Sequence, residues 1–408
     1  MISYNRYTSK TSTSSATMPR GITRTSLTTL VLLACVLTIC YMAGASLREV
    51  GSVSLSFLSR PSLALARLFA ANATKSDSRE AERNCKPVND VFFLKTHKCA
   101  SSSLQNLFMR YGKNRNLTFV LPSYGNYLGS PARFSSRMMM QHPSGVYNIF
   151  CHHSRYSETQ VRAVMPYATF VSILRRPAEL LESLYSFSKL TKLYGVDFDM
   201  FIRRPDAYFA RHKPGHPPAM NTMLFDFGLD TIDSLNRAKV DAKIATIAKQ
   251  FSLIMIAERF DESLVLLRDE LCWSWDDVVV FKQNARIRKT RLTEEQLALV
   301  DAWSAGDAAL YQHFYPVFED KVRRYGAARM QRDLAALHEH TQRMYDHCVD
   351  HLVTQKEIHD PKLKSWSADV FNFRLKSNDS ACIDLAKAEL PFTTELKRRL
   401  WPNKKFVV

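Results

Sequence analysis

Lys95, His97 and Lys98 crowd into the stretch VFFLKTHKCASSSLQNLFMR, Val91 to Arg110, and Ser101, Ser102 and Ser103 follow directly. Two ammonium groups, an imidazole and three hydroxyls at one junction are the chemistry of an anion site. The lysines supply charge, while hydroxyls and the unpaired N–H groups at the mouth of a helix supply donors to phosphate. Serines at a helix start also serve simply as caps. Farther along, Arg175 and Ser183 stand eight residues apart, and an arginine delivered by a strand is a planar donor to phosphate. The adjacent His152 and His153 add groups whose ordinary pKa suits removal of a proton from a hydroxyl.

Positioning these groups requires strands that end beside them. Val91 to Leu94 reads as a short buried strand, and Leu104, Leu107 and Phe108 recur at helical spacing, so this segment is strand, tight loop, helix. Further strands are expected at Asn148 to Cys151, Phe170 to Leu174 and Leu253 to Ile256, with helical patterns between several of them. Pro177 suits the first turn of a helix whose buried face is Leu180, Leu181, Leu184 and Phe187. The alternation predicts an α/β fold: a parallel sheet flanked by helices, with ligands bound beyond the carboxyl ends of the strands. The three sites above all fall at such ends. Neighbouring histidines on an extended chain point to opposite sides, so one of the two faces a given site. Beyond Leu292 the chain reads as helical, with a capping box at Thr293 and Gln296 and a second helix from Ala327 to about His351.

With 408 residues, 46% of them hydrophobic, and only 12 glycines, the chain is neither disordered nor a fibrous repeat. A formal net charge of +17 implies an anionic partner. The uncharged apolar run Leu27 to Ala45 is long enough to span a bilayer, which argues against a nucleic-acid partner in nucleus or cytosol. The expected organisation is a cytoplasmic tail at 1–26, a transmembrane signal anchor at 27–47, a stem at 48–87 and a lumenal domain at 88–408. Arginines and lysines flank the span on both sides, so its length, rather than charge, favours an uncleaved type II anchor over a secreted product cut near Ala43-Gly44-Ala45. Asn72, Asn116 and Asn378 stand in glycosylation sequons. Cys35 and Cys40 lie in the apolar run. The other six cysteines show neither CxxC nor zinc spacing, which predicts one or two disulfides rather than a metal site, with Cys99 and Cys151 left as thiols. No GxxxxGK[ST] occurs and the lysine loop has no glycine, which disfavours an ATP- or GTP-hydrolysing P-loop.

The loop KTHKCASS resembles the 5′-phosphosulfate-binding loop of Golgi carbohydrate sulfotransferases, above all the galactose-3-O-sulfotransferase family, which has KTHKTASS there; Cys99 replaces the threonine. The resemblance implies that Lys95, Thr96, His97, Lys98, Cys99, Ala100, Ser101 and Ser102 hold 3′-phosphoadenosine-5′-phosphosulfate (PAPS). Arg175 and Ser183 match the 3′-phosphate motif LRxPxxxxxS, whereas Arg176 and Leu180 depart from its heparan-type form RDPxxRxxS. CHHSRY, Cys151 to Tyr156, is similar to an HxxF segment that supplies the base in related enzymes; His153 fits best, with His152 and His97 as alternatives. Lys98 would stabilise charge on the leaving phosphate and Lys95 support the loop. NTMLFDFGL at Asn221 to Leu229, the stretch Glu258 to Arg286, and WSAGDAALYQHF resemble further family segments, with Lys282 and Arg286 as unassigned basic groups.

What this implies is a P-loop-like sulfotransferase fold with a helical C-terminal extension, in a single-pass type II Golgi membrane protein. It would move sulfate, without a metal, to the 3-hydroxyl of a β-galactose on a glycolipid or glycoprotein. A heparan- or chondroitin-type sulfotransferase and a catalytically inactive membrane-tethered glycan-binding protein are the alternatives. Tyr194 to Asn221 reads either as a long loop whose Tyr194, Phe198, Tyr208 and Phe209 stack on sugar or as a solvated basic connection. The basic residues Lys397, Arg398, Arg399, Lys404 and Lys405 form a tail without an assigned role.

Overall fold

The computed structural model describes residues 85–211, 218–283, 285, 291–365, 367–404 and 406. The expected tail, the anchor and most of the stem lie outside the described residues, as do the basic residues His212, Lys213 and His216 of the Tyr194 to Asn221 stretch, Arg286 and Lys405. No helix among the described residues is long and apolar enough to cross a membrane.

The chain opens with β1 (Val91–Leu94) and α1 (Ser101–Asn114), then β2 (Ile149–Phe150), α2 (Glu158–Val164) and β3 (Thr169–Leu174). Next come α3 (Pro177–Phe187), α4 (Leu190–Tyr194), α5 (Phe198–Arg203), α6 (Pro205–Phe209), α7 (Thr222–Asp226), α8 (Arg237–Gln250) and β4 (Leu253–Ile256). The C-terminal part holds α9 (Phe260–Leu271), α10 (Trp275–Val278), α11 (Glu294–Trp303), α12 (Ala305–Tyr325), α13 (Ala327–Cys348), β5 (Val349–Val353), β6 (Asn372–Leu375), α14 (Ser380–Ala386) and α15 (Glu389–Leu400).

The four strands β1 to β4 form a wholly parallel sheet in the order β2-β1-β3-β4. Successive side chains of a strand face opposite layers, and here both layers are apolar. Phe92 packs among Phe150, Phe170 and Phe251, while Phe93 stacks on Phe108 of α1 at 4.9 Å. Chain order reverses between β1 and β3, because β2 is laid down on one side of β1 and β3 on the other. In such sheets ligands bind outside the carboxyl ends of the strands at this switch point. Register brings Leu94 level with Ser172 and Leu174 level with Ile256, so the residues after β1 and β3 emerge at one edge.

The expected strands are all present, and so is the capping box of Thr293 and Gln296 at the start of α11. Three elements differ from expectation. Residues 194–211 are not an open loop: the short helices α5 and α6 bring Phe198, Phe201, Tyr208 and Phe209 together with Tyr185, Tyr194 and Trp303 in a second apolar cluster. Their aromatic rings hold that cluster together and are not an exposed sugar platform. Arg203 in the same stretch is paired with Asp199 and Glu295. The helix expected to run to His351 ends at Cys348, where the chain turns into β5 and pairs antiparallel with β6, so the C-terminal extension is helical with one two-stranded ribbon. Two disulfides, Cys85–Cys272 and Cys348–Cys382, form as expected, and Cys99 and Cys151 remain buried thiols.

Candidate active site

The loop after β1 turns by placing Lys98 and Ala100 in the left-handed region, both at φ 59°. Ala100 occupies the N-cap of α1 and gives it no side-chain cap, so the first N–H groups of α1 point into the turn. That is the feature a phosphosulfate needs, and it fits PAPS better than a capped helix would. The side chains of the loop divide into two sets. Thr96 donates to the Ile173 carbonyl (2.5 Å), Cys99 donates to the His97 carbonyl, and Ser101 donates to the Thr96 carbonyl (2.6 Å). These three side chains fix the turn from inside. Replacement of threonine by Cys99 therefore removes no ligand hydroxyl here, and burial pushes its thiol pKa up, keeping it protonated. Lys98 and Ser102 are half-buried at the surface of the turn, and the Lys98 ammonium lies 3.4 Å above the ring centroid of Phe187, the last residue of α3.

Arg175 leaves β3 beside this loop and donates to the Lys98 carbonyl at 3.0 Å, so the two sequence motifs meet across the switch point. Ser183 lies two turns into α3 and is buried. Beside Arg175 and Arg176, burial and a hydrogen bond with Glu258 raise the Glu179 carboxyl to about 7. Two carboxyls sharing a proton place less negative charge next to Arg175 and Arg176 than two carboxylates would. Glu179 and Glu258 lie 79 residues apart, so no local pattern in the sequence marks the pair.

On the other side of the loop stand the histidines. His152 and His153 do point opposite ways. His152 turns into the core, where its Nε2–H donates to Thr393 of α15 (2.8 Å), and burial drives its pKa down to about 3. His153 faces the loop, its Nδ1–H donating to the Lys95 carbonyl (3.1 Å) and its ring stacked on His97 with centroids 4.1 Å apart. Burial, then Lys95 and His97, hold the His153 pKa well below the ordinary value. His97 has a different environment. Its backbone N–H and its Nδ1–H both donate to the Asp226 carboxylate at 2.7 Å, and Nε2 accepts from the Tyr127 hydroxyl at 3.1 Å. A carboxylate on Nδ1 fixes the tautomer and leaves Nε2 as the ring's acceptor.

Asp226 and its segment are held by close backbone packing. Tyr156 N–H donates to the Asp226 carbonyl (2.8 Å), and Gly228 adopts φ +84° where an added Cβ would lie 2.2 Å from the Tyr156 carbonyl oxygen. The family-like segment Asn221 to Leu229 therefore delivers the carboxylate, and Asp307 of α12 anchors its start by accepting from the N–H groups of Met223 and Leu224. Burial raises the Asp307 carboxyl to about 7.

Lys95 is not available to a phosphate through its ammonium. Its side chain is 1% exposed, and its Nζ is bound at 2.7 Å to Glu389 at the start of α15. Burial alone would push the Glu389 carboxyl up, but Lys95, with Asn126 donating to the other oxygen, holds it below the usual carboxylate range. The basic C-terminal segment is likewise built in: Lys397 donates to the Ser123 carbonyl, and Arg399 donates to the carbonyls of Lys113 and Leu117. Asp226, Tyr127 and Glu389 were not singled out by the sequence, since each acts across a large separation in the chain. Among the described residues His347, Cys348 and Cys382 lie close enough to suggest metal ligands, but the two cysteines are joined as a disulfide and offer no thiolate.

The sequence model of the Galactose-3-O-sulfotransferase family matches residues 18–400. The chain is 34% identical over 341 residues to galactosylceramide sulfotransferase of Bos taurus, covering 78% of this chain and 81% of that protein. It is 35% identical over 338 residues to galactose-3-O-sulfotransferase 3 of Mus musculus, with 76% and 77% covered. Against galactose-3-O-sulfotransferase 2 of Homo sapiens the identity is 34% over 347 residues, with 78% and 85% covered. Together with a parallel α/β sheet whose switch point carries the expected loop, this places the chain in the galactose-3-O-sulfotransferase family of carbohydrate sulfotransferases.

Proposed function

We propose that the protein transfers the sulfuryl group of PAPS to the 3-hydroxyl of a β-galactose on a glycolipid or glycoprotein glycan. The observation that carries this reading is the meeting of both nucleotide motifs and an Asp226–His97 pair at one sheet edge. When bound, the donor supplies an activated sulfate on a phosphate leaving group. The backbone of residues 98–102 and the Lys98 ammonium would hold the 5′ end, and Arg175 with Ser183 the 3′-phosphate. Lys98 would offset charge growing on the leaving oxygen. His97, rather than the His153 favoured by sequence, is the base in this reading. Asp226 takes the Nδ1–H of His97 and so leaves its Nε2 as the ring's acceptor, whereas burial and Lys95 oppose a proton on His153. His153 then serves as the stacked wall that keeps His97 in place.

A glycosaminoglycan acceptor, a long polyanion that calls for a track of basic side chains, is less well supported, because Arg203 in the Tyr194 to Asn221 stretch is already paired with Asp199 and Glu295. Two disulfides suit an oxidising lumen. With the apolar run Leu27 to Ala45 they support a type II anchored enzyme of the Golgi lumen.

The test is transfer of labelled sulfate from PAPS to galactosylceramide, lactosamine, a mucin-type core disaccharide and desulfated heparan. It is run on the wild-type chain, His97→Ala, His153→Ala and Lys98→Ala. Product on galactosides, reduced at least 100-fold in His97→Ala and in Lys98→Ala but less in His153→Ala, is the expected result. Product on heparan alone overturns the acceptor, and equal losses in the two histidine variants overturn the choice of base.

A further inference from the structure

Tyr127 lies beside both His97 and His153 at the phosphate-loop edge of the sheet. Its hydroxyl is 3.1 Å from His97 Nε2, the atom that takes the acceptor's proton in the function proposed above. Its ring is stacked on His153, with centroids 5.0 Å apart and planes 13° from parallel. A side chain that merely swung aside for the acceptor would need a loose backbone, and this one is pinned on both flanks. Asn126 is tied to Glu389 at 3.1 Å, and the Leu128 N–H donates to the His153 carbonyl at 2.7 Å. Tyr127 is nonetheless 38% exposed as a residue, so part of it is open to solvent while its hydroxyl contacts His97. Burial, with Asp226 and Glu389 nearby, pushes its pKa up, so the phenol keeps its proton and stays a donor to His97.

Resting on the galactoside-sulfotransferase reading above, we infer that Tyr127 is a catalytic residue that relays the acceptor's proton to His97. As the sugar oxygen bonds to sulfur and the bond from sulfur to the 5′-phosphate oxygen breaks, the sugar hydroxyl's proton passes to Tyr127 Oη. The phenolic proton passes in the same step to His97 Nε2, and the electron pair of the broken bond leaves on the phosphate. Asp226, His97 and Tyr127 thus form one line of hydrogen bonds from the core to the acceptor. Glu389 and Asn126 act on it only as positioning residues, by holding the backbone of Tyr127.

Tyr127→Phe keeps the ring and removes the relay. The variant is predicted to bind adenosine 3′,5′-bisphosphate within twofold of wild type and to keep the acceptor KM within about threefold, while kcat falls about 100-fold. A solvent-isotope readout separates relay from packing: the proton inventory on kcat curves in wild type, where two protons move, and becomes linear in the variant. Should Tyr127→Phe fail to accumulate, 3-fluorotyrosine at this position alters the acidity of the phenol with little change in shape, and kcat must shift with it. A kcat within threefold of wild type in Tyr127→Phe, or an unchanged kcat with fluorotyrosine, overturns the relay. If the wild-type chain binds the bisphosphate yet sulfates no galactoside, the functional reading itself fails and the relay falls with it. Wild-type transfer with undiminished Tyr127→Phe turnover fails the relay alone.

Discussion

Two adjacent residues of one type take unlike roles here because the chain between β2 and α2 is extended. His152 sits in the core with Nδ1 lacking a hydrogen-bond partner among the described residues, and His153 belongs to the site. The buried one sets a pH dependence whose sign follows from linkage. Unfolded His152 binds a proton below about 6.5, whereas folded His152 resists one until about 3, so protons favour the unfolded chain throughout that interval. Stability contributed by the neutral ring is complete above 6.5 and is lost as pH falls. The expected loss from this residue is about 1.4 kcal/mol per pH unit, or about 2 kcal/mol between pH 6.5 and 5. Urea unfolding of wild type and His152→Gln at the two pH values checks it: the variant should show the smaller drop, and equal drops would exclude His152 as the source. At this scale the sequence was readable where placement depends on immediate neighbours: the turn carrying Lys98 and the strand end carrying Arg175 do meet. It was silent on Asp226, 129 residues from His97, because ion pairing across the fold leaves no local pattern.

Elements carry the next level. The strands were legible because short apolar runs bounded by polar turns have few other uses in a chain of this composition, and both faces of the sheet proved to be covered. Residues 194–211 were misread because helices of five or six residues are too short to display a 3.6-residue period; their aromatics look like loop decoration until packing shows them sharing one cluster. The ribbon of β5 and β6 was missed for a related reason, since VDHLV buries only its two end residues. One glycine decides how the α7 segment sits against the chain after β2. Gly228→Ala would drive a Cβ into the Tyr156 carbonyl at a φ that alanine disfavours, so the two backbones must part. A loss of about 3 kcal/mol is expected, together with lowered kcat as Asp226 moves away from His97. Thermal denaturation and turnover of the variant test both, and full activity with lowered Tm would separate the packing from the chemistry.

For the whole molecule the longest connections matter most. Cys85–Cys272 closes a separation of 187 residues, and Cys348–Cys382 one of 34. If each constrains the unfolded chain in proportion to loop entropy, removing the first pair should cost about 1.5 kcal/mol more than removing the second. Paired serine substitutions followed by denaturant titration give that difference directly, and the reverse ranking would show that local packing around α14 and β6 outweighs chain entropy. The bond between Lys95 and Glu389 spans farther still, 294 residues. Burying an ammonium without its counter-ion costs several kcal/mol. On a chain still being translated, Lys95 has no carboxylate to enter the core with until residue 389 has been made. A nascent chain that has passed Ser183 therefore already carries the turn after β1 and the start of α3, yet the burial of Lys95 waits for the helix beginning at Glu389 to dock.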